Sequence, residues 1–119
     1  MKLFDNTKNE GNKPGFSNID SIEKAVALSN NGQLEPLLLM PSRFGGEDSD
    51  ANILYVPIGV STIKDSIDNI VEELLIDKRV SGYKCDIKYK GKSVIPSIIK
   101  IIATAHDGTE VFAPNINIW

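Results

Sequence analysis

The chain has 119 residues, of which 41% are hydrophobic and 24% are charged, and its formal net charge is −3 with a pI near 5.1. A chain of this length forms one domain that buries roughly two thirds of its unfolded surface, and it is too short for two independent cores. The ordinary balance of apolar and charged residues excludes wholesale disorder. The acidic pI argues against a nucleic-acid-binding protein.

The sequence also limits the cellular location. Residues 1–4 run directly into polar residues, so no apolar core of a secretory signal follows. No apolar run is long enough to cross a bilayer. The single cysteine, Cys85, cannot close a disulfide within the chain. We therefore expect a cytoplasmic protein without membrane association.

The chain begins with a polar stretch, and we predict a flexible segment over residues 1–16 ahead of one globular domain over residues 17–119. In this domain, Asp20 or Ser21 can cap a short helix, because apolar residues follow at near-helical spacing. The polar residues 30–32 supply its end.

Two short strands are predicted next. Residues 34–40 contain a continuous apolar run between two prolines, which is typical of a strand covered on both faces, although a short buried helix fits the same pattern. Residues 52–57 read as the second strand, after a loop rich in glycine and acidic residues. We expect the two strands to pair antiparallel.

The clearest element is an amphipathic helix over residues 62–77, with Ser61 or Thr62 as its N-cap and Asp65 near its first turn. Its apolar stripe consists of Ile63, Ile67, Ile70, Val71, Leu74 and Leu75. The opposite face carries Asp65, Asp68, Glu72 and Glu73.

Beyond residue 82 the period changes from 3.6 to 2, which indicates strands. The predicted strands are 83–90, 94–105, 110–112 and 115–119, with hairpin turns at 90–92 and 107–108. The sequence therefore predicts an α+β domain in which a mostly antiparallel sheet of about five strands carries a short N-terminal helix and the longer amphipathic helix.

The C-terminal Trp119 is predicted to pack on the second face of this sheet. Period 2 places it opposite the face that Ile116 and Ile118 bury. Strand 94–105 is apolar on both faces, so we expect the short helix near residues 21–29 to cover that second face.

Charge is separated along the chain. Residues 47–77 contain eight acidic residues and one basic residue, Lys64, which gives a local charge of −7. Residues 78–119 contain seven basic and three acidic residues, which gives +4. The acidic segment would attract a basic protein. The same charge pattern is also explained by a solvated surface that keeps the protein soluble, and this alternative stays open.

Catalytic residues are scarce. His106 is the only histidine and precedes a turn, whereas Cys85 falls on the inward face of its strand, where a thiol is usually inert. Carboxylates are numerous, but none has an evident apolar setting that would raise its pKa. We expect no catalytic residues and no cofactor.

Metal and nucleic-acid sites are not predicted either. Asp48, Asp50 and Asn52 have the alternating spacing that opens a calcium loop, but the glycine and the glutamate required later in that loop are missing. The lysines on strand 83–90 alternate with its tyrosines, so the two residue types face opposite sides and form no stacking platform.

Four segments of the chain carry a resemblance to a known group of proteins. They are 45–48 (Gly-Gly-Glu-Asp), 52–57 (Asn-Ile-Leu-Tyr-Val-Pro), 89–96 (Tyr-Lys-Gly-Lys-Ser-Val-Ile-Pro) and 116–119 (Ile-Asn-Ile-Trp). Over residues 34–119 the chain resembles small bacterial immunity proteins of polymorphic or contact-dependent toxin systems. The resemblance implies a cytosolic, non-catalytic protein that neutralises a cognate toxin by direct binding, often through an acidic surface.

The leading hypothesis is therefore a binding protein with an acidic interface. Its predicted partner-binding residues are Phe44, Glu47, Asp48, Asp50, Asp65, Asp68, Glu72 and Glu73. Affinity would come from a few buried contacts, such as those of Phe44 or Tyr55. One alternative is a small enzyme or ligand-binding domain that uses the carboxylates of loop 47–50 with His106. Another is a structural subunit that pairs through its terminal strand or its hairpin edge; the oligomeric state stays open.

Overall fold

The computed structural model describes residues 15–119, so most of the segment predicted to be flexible, 1–16, lies outside the described residues. The elements in chain order are α1 (Ile22–Asn30), β1 (Leu34–Leu38), β2 (Ile53–Pro57), α2 (Val60–Ile76), β3 (Gly82–Tyr89), β4 (Pro96–Thr104), β5 (Glu110–Phe112) and β6 (Asn115–Asn117). The predicted α+β class is confirmed.

The strands form two sheets instead of the one that the sequence predicts. β1 and β2 pair antiparallel, as expected, and make a separate two-stranded sheet. In the second sheet β4 pairs antiparallel with β3 on one side and with both β5 and β6 on the other. Along the chain, α2 lies between the two sheets, after β2 and before β3.

The main core lies between α2 and the second sheet. Val60 and Val71 of α2 are buried against Ile99, Ile101 and Ala103 of β4. The predicted alternation along β3 is confirmed up to residue 88, because its even-numbered residues from 84 to 88 are exposed and residues 83, 85 and 87 are half-buried. α2 therefore covers one face of this sheet.

A second core lies beside α1 and includes the C-terminus. Ser21 caps α1 as predicted, since its Oγ accepts a hydrogen bond from the Lys24 N–H at 3.2 Å. Trp119 packs beside α1 as predicted, because its ring joins the buried cluster of Ile95 and α1. However, α1 packs mainly on β1 and β2, and not on the second face of the sheet that it was expected to cover. The Trp119 Nε1 donates to the Ile95 carbonyl at 3.1 Å, and Phe16 packs edge-to-face against the ring with centroids 5.5 Å apart.

The start of α2 differs from the prediction. The helix begins at Val60, and its N-cap is Gly59 with φ of 103°, so the prediction of Ser61 or Thr62 is wrong. The carboxylate of Glu35, from β1, accepts hydrogen bonds from the N–H groups of Gly59 and Ser61, each at 3.0 Å, and from the Ser61 hydroxyl at 2.6 Å. A side chain from another element thus satisfies the free N–H groups of the helix end. Asp65 lies beyond the first turn.

We expect Glu35→Gln to make folding less sensitive to pH. Burial raises the pKa of Glu35, but hydrogen bonds from Ser61 and Gly59 outweigh this and hold the pKa below its ordinary value. A lowered pKa in the folded state stabilises the fold above the ordinary pKa of glutamate, and this stabilisation is lost as the pH falls through the folded-state pKa. Glu35→Gln should therefore cost about 1–2 kcal/mol at pH 7 and less in acid.

Urea unfolding from neutral to acidic pH measures this difference. Glu23→Gln removes an exposed carboxylate from α1 and serves as the control. If the wild type and Glu35→Gln lose stability in parallel as the pH falls, Glu35 does not cap α2.

Trp119→Ala should lower the free energy of unfolding by about 2–4 kcal/mol, because it leaves a void beside α1. Trp119→Phe keeps an aromatic ring and loses the hydrogen bond to Ile95, so it should cost about 1 kcal/mol. Urea unfolding followed by circular dichroism measures both. An unchanged midpoint for Trp119→Ala would show that the C-terminus adds nothing to the core.

Candidate functional site

The loop over residues 41–52 connects β1 to β2 and is fixed by hydrogen bonds. The side-chain oxygen of Asn52 accepts the Met40 N–H at 2.8 Å, and its amide group donates to the carbonyls of Met40 and Glu47, each at 2.9 Å. Gly46 lies so close to the Met40 carbonyl that a side chain there would clash. These contacts fix the loop, and they are the bonds to backbone that an Asn side chain makes in a turn, which is the alternative to a metal ligand at this position.

Three carboxylates project from this loop into solvent. Glu47, Asp48 and Asp50 are all exposed, as predicted. Within residues 15–119, no basic nitrogen lies within 4.0 Å of their carboxylate oxygens. We call these three residues the acidic loop, which carries three uncompensated negative charges.

Arg43 anchors the loop to α2. Its guanidinium lies 3.0 Å from the Asp65 carboxylate and 3.1 Å from that of Glu72, and it donates to the Asn69 side chain at 2.6 Å. Arg43 therefore offsets part of the negative charge of the α2 carboxylates. Arg43 lies outside the acidic segment in sequence, and no local pattern indicates where its side chain reaches. The contact also places Asp65 and Glu72 beside the loop.

The remaining predicted interface residues occupy different environments. Glu73 is exposed on α2. Phe44 is half-buried, and its ring packs against that of Tyr83 with centroids 5.1 Å apart. Much of the Phe44 side chain is thus already in contact with the main core.

Asp68 is not on the exposed face of α2, so this prediction is wrong. Its residue surface is only 3% exposed, and Lys64, one turn earlier, is 1% exposed. In contrast, Ile63 and Ile70 of the predicted buried stripe are 52% and 45% exposed. The helix is rotated from the predicted orientation because the ion pair between Lys64 and Asp68 allows both charges to face the core.

The buried charges form a closed hydrogen-bonded network with β3. Lys64 Nζ lies 2.7 Å from Asp68 Oδ2 and donates to the Tyr83 hydroxyl at 2.8 Å. The Tyr83 hydroxyl donates to Asp68 Oδ1 at 2.7 Å. Burial, and secondarily the bond to Asp68, raises the pKa of Tyr83 well above its usual range. Burial likewise raises the pKa of the nearby Cys85 thiol. The network ties α2 to β3.

His106 does not join the acidic loop in an ion pair. It is exposed in the turn between β4 and β5. Among the described residues, no carboxylate oxygen lies within 4.0 Å of its ring nitrogens. Nor do residues 15–119 contain a group of three or more His, Cys, Asp or Glu side chains arranged to hold a metal ion.

No helix in the described part of the chain combines the length and apolar character needed to cross a membrane. Comparison of the chain with protein-family models, curated proteins and solved structures finds no match.

Removing one member of the buried network should destabilise the folded protein far more than replacing all of its polar members with apolar residues. Lys64→Met leaves Asp68 buried without its cation and should lower the free energy of unfolding by about 3–5 kcal/mol. The triple variant Lys64→Met, Asp68→Leu, Tyr83→Phe removes every polar member and should recover most of that loss. Urea unfolding measures both variants. Equal destabilisation by the two would contradict the network's role as a mutually compensated unit.

Proposed function

We propose that the protein is a non-catalytic binding domain whose acidic loop recognises a basic surface on a partner protein. The observation that supports this most directly is the exposure of Glu47, Asp48 and Asp50 on a loop fixed by hydrogen bonds. Like charges held close together repel one another. Their repulsion is relieved when a basic surface approaches, so the arrangement favours such a partner.

Preorganisation of the loop adds to this argument. Arg43 fixes one side of the loop on α2, and Asn52 fixes the other side at the start of β2. A loop already held in its binding conformation loses little backbone entropy on association. The acidic loop therefore suits a partner that binds fast and by surface complementarity.

The proposed partner is a basic toxin domain, and the protein would act in the cytoplasm as an immunity protein that covers it. This step depends on the resemblance of segments such as 45–48 and 52–57 to immunity proteins. A toxin that cleaves nucleic acid needs a basic surface for the phosphate backbone, and an acidic protein can occupy that surface. Genes for such pairs lie side by side, so the neighbouring gene is the first candidate for the partner.

Neutralising the acidic loop should slow association with the partner. The triple variant Glu47→Gln, Asp48→Asn, Asp50→Asn keeps side-chain shape and should reduce the association rate constant about 10- to 100-fold at low salt, with a weaker dependence on ionic strength. The control triple variant Asp77→Asn, Asp86→Asn, Glu110→Gln removes the same charge from exposed positions outside the predicted interface.

The measurement is stopped-flow association with the product of the neighbouring gene, or with a protein captured from the source bacterium, across a salt series. Equal rate constants for the two triple variants would show that only net charge matters. A wild-type rate constant for the loop variant would remove the loop from the interface and leave solubility as the role of its charges.

A further inference from the structure

A shallow apolar groove of about 270 Å³ lies where α1, β2 and the β3–β4 hairpin meet. Ile22 forms one wall, residues 53–55 form the floor, and Tyr89 and Val94 form the other wall. Ile22 is 56% exposed and Tyr89 is 47% exposed. The groove therefore presents large apolar side chains to solvent at the junction of the two sheets.

The β2 residues that line the groove belong to a strand that pairs on one edge only within residues 15–119. The Leu39 N–H donates to the Asn52 carbonyl at 2.9 Å, so these two residues form a hydrogen-bonded pair next to the β1–β2 ladder. Because such pairs alternate along the antiparallel register, Pro36 and Tyr55 face each other as a non-hydrogen-bonded pair. This agrees with the missing N–H of proline. The Tyr55 N–H and carbonyl therefore point away from β1, toward an edge that no strand within residues 15–119 pairs.

The acidic loop reaches the end of this groove. The turn Asp50–Asn52 leads directly into Ile53, the first residue of the groove floor. The Asn52 side chain holds the Glu47 carbonyl at 2.9 Å, so the backbone of Glu47 is also beside that end. Asp50 of the acidic loop is thus three residues before the groove floor along the chain.

We propose that the groove binds an extended segment of the partner, which adds as a strand to the edge of β2. One apolar side chain of this segment packs between Ile22 and Tyr89, and a basic side chain two residues away reaches the acidic loop. Backbone hydrogen bonds to Tyr55 set the register, and the apolar side chain supplies most of the affinity. The basic contact and the origin of the segment in that partner rest on the proposed function, whereas the addition of a strand to β2 does not.

A short peptide tests this directly. The probe is Ac-Arg-Thr-Phe-Thr-Arg-NH2, in which alternation places the phenylalanine and both arginines on one face, so that either strand direction brings an arginine toward the acidic loop. Titration into ¹⁵N-labelled protein should shift the amide signals of residues 53–55 and of Tyr89 together with those of the loop. Replacing the phenylalanine of the peptide with alanine should weaken binding at least about tenfold.

Two protein variants with a matched control locate the site. Ile22→Ala and Tyr89→Ala each remove an exposed wall of the groove and should weaken binding of the probe several-fold, whereas Val111→Ala removes an exposed apolar side chain from β5 and should not. The ¹⁵N spectrum of each variant shows that it is folded. Equal binding by all three variants overturns the proposal.

Other outcomes distinguish failure of the groove proposal from failure of the proposed function. If the phenylalanine and alanine peptides shift only the loop signals, the acidic loop binds basic peptides and the groove proposal is overturned. If Ac-Glu-Thr-Phe-Thr-Glu-NH2 shifts the groove signals as strongly as the arginine probe, strand addition is supported and selection by the acidic loop is overturned. If no peptide shifts residues 53–55, the groove is not a binding site.

Discussion

The buried pair of Lys64 and Asp68, closed by the Tyr83 hydroxyl, is the constraint on which the rest of the molecule depends. All its bonds are 2.7–2.8 Å long, and both charges are almost completely removed from solvent. A buried charge without its partner is strongly unfavourable, so α2 has one rotation about its axis that satisfies both groups. In that rotation Val60 and Val71 also face the core.

The rotation of α2 determines which of its acidic residues are on the surface. Asp68 turns inward, and Asp65 and Glu72 come within reach of Arg43. Arg43 then holds the loop over residues 41–52 against the helix, while Phe44 of the same loop packs on the ring of Tyr83. The buried network and the loop over residues 41–52 are therefore linked through the contact of Phe44 with Tyr83.

β2 contributes residues to both cores and begins directly after the loop over residues 41–52. Val56 belongs to the main core, and Tyr55 packs against the second core, which contains α1 and Trp119. Glu35 ties the neighbouring strand to the start of α2. β2 therefore packs against both cores, and one of its edges pairs with no other strand in the described residues. The groove lies along this strand, which begins directly after the acidic loop.

Local patterns were enough to predict much of the fold from the sequence. The serine cap of α1, the antiparallel pair of β1 and β2, the alternation along β3 and the hairpin turns all depend on residues a few positions apart, where periodicity and turn chemistry act. The exposure of Glu47, Asp48 and Asp50 follows in the same way from a polar loop rich in glycine. These features specify an α+β domain with an acidic loop.

Other features depend on contacts between residues that are far apart in the sequence, and only the tertiary structure shows them. Glu35 caps a helix 24 residues away, Arg43 pairs with a glutamate 29 residues away, and Lys64 bonds a tyrosine 19 residues away. No local pattern contains these partners, so the sequence could not show the start of α2, its rotation or the partial neutralisation of its carboxylates. The groove has the same origin, because its walls come from α1, β2 and the β3–β4 hairpin, which meet only in the folded chain.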